Sequence, residues 1–191
     1  GRIGALAFVP NGPLAVGSMG KGVLLFDPAH LASARRLLAT GRKIRSLGVS
    51  GDGKLAAGTD EGPILLWASG LDRPPVELAG HTSAVTSLSF APSGARLASS
   101  SVDGSVRLWD ASKPEQKPIR LAGHSGWVWA VAFSADGETL VSGGADRSLR
   151  VWPTRPQPLA DAVCAHKTRN LTPEEWGAFL PADIPWEATC R

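Results

Sequence analysis

Two sets of residues recur in the same order and at the same spacing: His81, Asp103 and Trp109, then His124, Asp146 and Trp152. In each set the histidine precedes the aspartate by 22 residues, and the aspartate precedes the tryptophan by six. Serines lie between them, so the parts of a hydrolytic Ser-His-Asp site are present. Their number argues against that chemistry. An active site is built once, whereas this set is built twice and each copy is completed by an indole, which points to a structural cause. No phosphate-cradling Gly loop ending in Lys-Ser/Thr and no G-x-S-x-G elbow occurs. The chain is expected to be no enzyme and to use no cofactor.

The elements that must position these residues show the same period. Phe26, Trp67, Trp109 and Trp152 end four units and stand 41, 42 and 43 residues apart. Each unit reads as an alternating strand, a Gly-bearing turn, a small-residue strand, an acidic turn and an apolar strand ending on the aromatic. In the third unit these are Val85 to Phe90, Pro92-Ser93-Gly94, Arg96 to Ser101, Asp103-Gly104 and Val106 to Trp109. The fourth runs Val128 to Phe133, Ala135-Asp136-Gly137, Thr139 to Gly143, Asp146-Arg147 and Leu149 to Trp152. Twenty-two Gly and 15 Pro among 191 residues, with seven Trp and no Tyr, fit an all-β repeat fold with many tight turns.

Gly80-His81 and Gly123-His124 open units that close on Leu108-Trp109-Asp110 and Val151-Trp152, a pattern that resembles the WD-repeat family. The resemblance covers about the first four-fifths of the chain and implies four-stranded propeller blades. It further implies that His81, Ser99 or Ser101, Asp103 and Trp109 form a buried hydrogen-bonded chain, with His124, Ser142, Asp146 and Trp152 as its counterpart. Such a chain satisfies polar groups inside a thin blade. Toward the N-terminus the pattern departs: Thr40-Gly41-Arg42 stands where Gly-His belongs, and Gly20 where the turn acid belongs. The first two blades are therefore expected to be less rigidly pinned.

The expected organisation is a partial propeller over residues 1–157, with blades at about 1–41, 42–80, 81–123 and 124–157, and a two-helix cap over 158–191. The fourth blade lacks an outer strand, because Pro153, Pro156 and Pro158 cannot continue a ladder. The chain opens on the innermost strand of its first unit, so the reading is the C-terminal part of a longer propeller. In the tail, Thr172-Pro173-Glu174-Glu175 is a helix start with a capping box. Together with Pro185-Trp186-Glu187 it resembles the tail of bacterial multidomain proteins ending in a WD-repeat propeller, among them signal-transduction ATPases with numerous domains. That resemblance implies an effector domain upstream and a cytoplasmic location. Asn170-Leu171-Thr172 fits a glycosylation sequon, but Thr172 serves better as a cap. Cys164, His166 and Cys190 lack a fourth metal partner, so no metal is expected.

Propellers of this family bind partners through the loops before the first strand and the turns between the second and third. Projected onto the units, these positions are Arg2 and Gly4, Lys43 and Arg45, Ala84 and Thr86, and Trp127 and Trp129, with Thr59, Val102 and Ala145 before the turn acids. They differ from unit to unit while the framework repeats. Trp127 and Trp129 are the expected anchors, since Trp dominates binding hot spots, and Lys43 and Arg45 favour acidic groups. The leading expectation is a protein-interaction or ligand-sensing module that binds a protein or peptide. A nucleic-acid binder using the basic 35–45 segment is second, on weak footing because the net charge is only +3. No apolar run reaches the ~20 residues of a membrane span.

Overall fold

The computed structural model describes residues 2–39 and 41–154; the expected helical cap, Cys164, His166, Cys190 and the Asn170 sequon lie outside them. Every regular element described is a strand. The first sheet holds β1 (Ile3–Phe8), β2 (Leu14–Ser18), β3 (Gly22–Asp27) and β4 (His30–Ala39). The second holds β5 (Ile44–Val49), β6 (Leu55–Thr59), β7 (Ile64–Trp67) and β8 (Val76–Leu78), and the third β9 (Val85–Phe90), β10 (Arg96–Ser101), β11 (Val106–Asp110) and β12 (Ile119–Leu121). The last holds β13 (Val128–Phe133), β14 (Thr139–Gly144) and β15 (Leu149–Pro153). Strands pair antiparallel in chain order within each sheet, four to a blade in the first three and three in the fourth. β15 ends on Pro153, where the missing N–H stops the ladder.

The first hairpin of each blade is the same turn. The amides of Gly12, Gly53, Gly94 and Gly137 donate to the carbonyls of Val9, Ser50, Ala91 and Ser134 at 2.8–3.0 Å. Gly53, Gly94 and Gly137 have φ of 86°, 68° and 71°, a conformation that side chains disfavour. The sequence-predicted strand Ala34 to Ala39 is longer, beginning at His30, and it pairs with β3 through three register shifts.

The core lies between successive blades. Ile44 of β5 packs with Ala15, Val23 and Leu25 of the first blade, with Leu47 and Val49 alongside. Val85, Leu88 and Phe90 of β9 pack with Ala56, Ile64 and Leu66 of the second. Val128, Val131 and Phe133 of β13 pack with Ala98, Val106 and Leu108 of the third. The second strands are rich in small residues because the next blade leaves no room. A Cβ on Gly17 would lie 2.6 Å from Ile44 Cγ2, and one on Gly58 would lie 2.6 Å from Val85 Cγ1.

Candidate functional site

The repeated polar residues meet inside their blades. His81 Nδ1 lies 2.8 Å from Asp103 Oδ2, and His81 Nε2 lies 2.7 Å from Ser99 Oγ. The Trp109 indole N–H donates to the same Ser99 oxygen at 2.8 Å. In the fourth blade His124 Nδ1 lies 2.9 Å from Asp146 Oδ2, while Ser142 Oγ receives the Trp152 indole N–H and faces His124 Nε2, both at 2.8 Å. One tautomer satisfies every group: the indole donates to the hydroxyl, the hydroxyl to Nε2, and Nδ1–H to the carboxylate. Between the two serines the resemblance left open, Ser99 joins the chain, and Ser101 Oγ donates instead to the Ser83 carbonyl at 2.9 Å.

Ser–His–Asp contacts of this kind are also those of a hydrolytic site, and burial decides between the two roles. Ser99 has no exposed surface and Ser142 is 1% exposed, so neither hydroxyl can meet a substrate. The indole also occupies a lone pair that attack would need.

Two further serines, unmarked by sequence reasoning, complete each carboxylate. Ser105 Oγ donates to Asp103 at 2.7 Å and Ser148 Oγ to Asp146 at 2.8 Å, with the Thr82 and Ser125 amides adding bonds from the loops. Each serine stands two residues after its aspartate, a repetition that comparison of the units could have shown. Burial works to raise the Asp103 carboxyl, but hydrogen bonds from Ser105 and His81 outweigh it and hold the group at about 2. The same balance, with Ser148 and His124, holds Asp146 well below the usual carboxylate range. Desolvation lowers the His81 pKa below 6.5 despite the neighbouring Asp103 charge, so the ring is neutral at pH 7.

The divergent residues occupy a repeated backbone irregularity. The register shifts at Ile3/Ala5, Ile44/Ser46, Ser100/Ser101 (opposite Val85/Ser87) and Val128/Ala130 put Gly4, Arg45, Thr86 and Trp129 at equivalent bulges in the four first strands. A bulge re-aims the extra residue out of the ladder. In the first and third blades that residue meets the next blade: a Cβ on Gly4 would overlap the Ile44 carbonyl, and Thr86 Oγ1 donates to the Val128 carbonyl at 2.5 Å. Thr86, expected at the binding face, is thus engaged between blades.

Trp127 and Trp129 are 53% and 47% exposed, and their rings meet edge to face at 5.4 Å. Ala145, exposed, donates its amide to the Trp127 carbonyl at 2.7 Å. Beside them lies an open depression of about 310 Å3, lined by Val102, Asp103, Gly104, His124, Trp127 and also Arg120. Arg120, on the outer strand β12, was not among the sequence-predicted residues. Lys43 and Arg45 belong elsewhere, on the second blade. Arg45 holds Asp60 through Nη2 at 2.6 Å and Nε at 2.8 Å, so its charge is already answered. Among the described residues no hydrogen bond, ion pair or ring contact links this pair to the tryptophans.

Residues 73–110 and 115–153 match the family model described as "WD domain, G-beta repeat". Each matched stretch starts before the outer strand of one blade, β8 or β12, and ends with the third strand of the next, so the sequence repeat is staggered by one strand from the sheet. Over 45 residues, 22% of this chain and 11% of the relative, the chain is 51% identical to POC1 centriolar protein homolog A of Danio rerio. The solved chain titled "Structure of U3-55K" shares the fold with a TM-score of 0.70 at 23% identity, over 81% of this chain and 49% of that one. This chain therefore spans about half the length of that structure and a small part of the centriolar relative. The paired His-Asp and Ser-Trp bonds, the staggered match and the shared fold lead to one assignment: residues 73–110 and 115–153 are WD40 repeats, set in a β fold of blade-like sheets.

Proposed function

We propose that the chain is a protein- or peptide-binding module whose recognition site is the depression between the third and fourth blades. Trp127 and Trp129 anchor an apolar side chain of the partner, and Arg120 takes an acidic neighbour. The observation that carries this reading is the exposed, edge-to-face indole pair at the depression, in positions that hold Lys43 and Arg45 or Ala84 and Thr86 in other blades. Trp and Arg concentrate binding energy because they bury large surfaces around a few directed bonds. WD40 repeats build interaction scaffolds, and the likeness to a centriolar protein agrees with a role in binding rather than catalysis. In its whole polypeptide we place the module as the cytoplasmic sensor or scaffold part of a larger bacterial signalling protein, as the likeness of residues 170–190 implies.

A nucleic-acid role for the 35–45 segment is the weaker reading. Arg42 pairs with Glu77 at 2.8 Å and Arg45 with Asp60, which leaves less free positive charge for a phosphate backbone.

The test is selection from a displayed random-peptide library, followed by fluorescence anisotropy with the selected peptide. Trp127→Ala and Trp129→Ala are expected to weaken binding about 30-fold or more, corresponding to about 2 kcal/mol, with little change in Tm. A lower Tm with unchanged affinity marks the pair as packing. Tight, steeply salt-dependent binding of a single-stranded oligonucleotide, lost on Lys43→Glu, favours the nucleic-acid reading instead.

A further inference from the structure

The three blade interfaces follow one rule, and the two outermost faces of the described blades carry its unfilled halves. At each interface a first strand presents three apolar residues to the second and third strands of the blade before it. In β5, β9 and β13 these are Ile44, Leu47 and Val49, then Val85, Leu88 and Phe90, then Val128, Val131 and Phe133, all buried or half-buried. The counterparts in β1 are Ile3, Leu6 and Phe8, which stand 60%, 58% and 66% exposed. On the other side of the rule, the third-strand pairs Val23 and Leu25, and Ile64 and Leu66, are buried, with Val106 buried and Leu108 half-buried. Their counterparts in β15, Leu149 and Val151, are 78% and 66% exposed. Gly17 and Gly58 abut the following blade, whereas a Cβ on the equivalent Gly143 would meet only Leu149 of its own blade.

We propose that a second copy of this chain fills both faces: the β14–β15 face of the fourth blade in one copy packs on the β1 face of the first blade in the other, head to tail. The occupant is chosen by continuity, because the contact repeats in residue type and strand position the three interfaces the chain already makes with itself. Both halves of the contact are on this chain, and they are different surfaces, so the association is heterologous and closes only if it is made twice. Two copies joined twice carry eight blades, at the upper end of the ~4 to 8 found in propellers. This inference is independent of the indole site.

The experiment is light scattering on the 191-residue chain after size exclusion, with Leu6→Asp and Leu149→Asp beside it. Both leucines are exposed in the single copy, so far-UV circular dichroism should show that each variant keeps its fold. The expected result is twice the single-chain mass for the unaltered protein and the single-chain mass for either variant. A monomeric unaltered chain overturns the proposal, leaving the faces to other blades of a longer polypeptide. So does any larger mass, or a dimer that survives one substitution, since pairing of like faces depends on only one of them. Peptide affinity is a separate readout, so either reading can fail alone.

Discussion

Asp103 and His81 are held in ionisation states that the unfolded chain does not share at low pH. The Asp103 carboxyl sits at about 2 in the folded protein, below its ordinary 3.8, so it stabilises the fold above that ordinary value and the contribution is lost as pH falls toward 2. His81 is shifted below 6.5, so the unfolded ring takes a proton first, and this contribution is present above 6.5 and fades as pH drops beneath it. Both effects have the same sign. Thermal melts should show Tm falling as pH is lowered from 7, with Asp103→Asn flattening the fall between about 4 and 2. A wild-type Tm independent of pH across this range would contradict the buried pairing. At this scale the fixed 22-residue spacing made the His-Asp pairs readable, because only a repeated contact keeps a repeated interval. The serine was not decidable from sequence: Ser99 and Ser101 share a strand face, and only the register that sets β10 against β11 brings Ser99 within 2.8 Å of the Trp109 indole nitrogen.

The elements are thin sheets whose second strands accept the next blade, and the small residues there are a consequence of distance. Gly58 illustrates the constraint, since a side chain at that position would collide with Val85 and overlap Ser46 Oγ, whose hydroxyl donates to the Val85 carbonyl at 2.9 Å. Gly58→Val should therefore destabilise the protein by about 1–3 kcal/mol, the usual cost of overpacking, measured by urea unfolding. Gly143→Val, at the equivalent place with no blade against it, should cost much less. Equal losses would show that the cost comes from the strand itself and not from the interface. Strand order and turns were legible from the 41 to 43 residue period and the Gly-bearing hairpins. The bulges were not, because the register shift depends on backbone pairing that no residue type announces. That is why Thr86 read as a recognition residue when its hydroxyl is engaged by the Val128 carbonyl. Arg120 was missed for a related reason: it comes from β12, an outer strand that the family pattern does not connect with binding.

Across the whole molecule, the two sets of residues divide the work. His81, Ser99, Asp103 and Trp109, with their counterparts in the fourth blade, satisfy one another inside the sheets and reach neither solvent nor partner in quantity. Trp127, Trp129 and Arg120 stand at the surface and satisfy nothing inside the fold. The account's central claim is this separation between residues that build and residues that recognise. It is tested most directly by measuring Tm and library-selected peptide affinity together for Asp103→Ala and Trp127→Ala. Asp103→Ala leaves His81 and Ser105 without their buried acceptor and should lower stability by about 1–3 kcal/mol while the folded protein binds peptide with little change. Trp127→Ala should weaken peptide binding about 30-fold and leave Tm nearly untouched. The reverse pattern, with affinity following the aspartate and stability following the tryptophan, would contradict it.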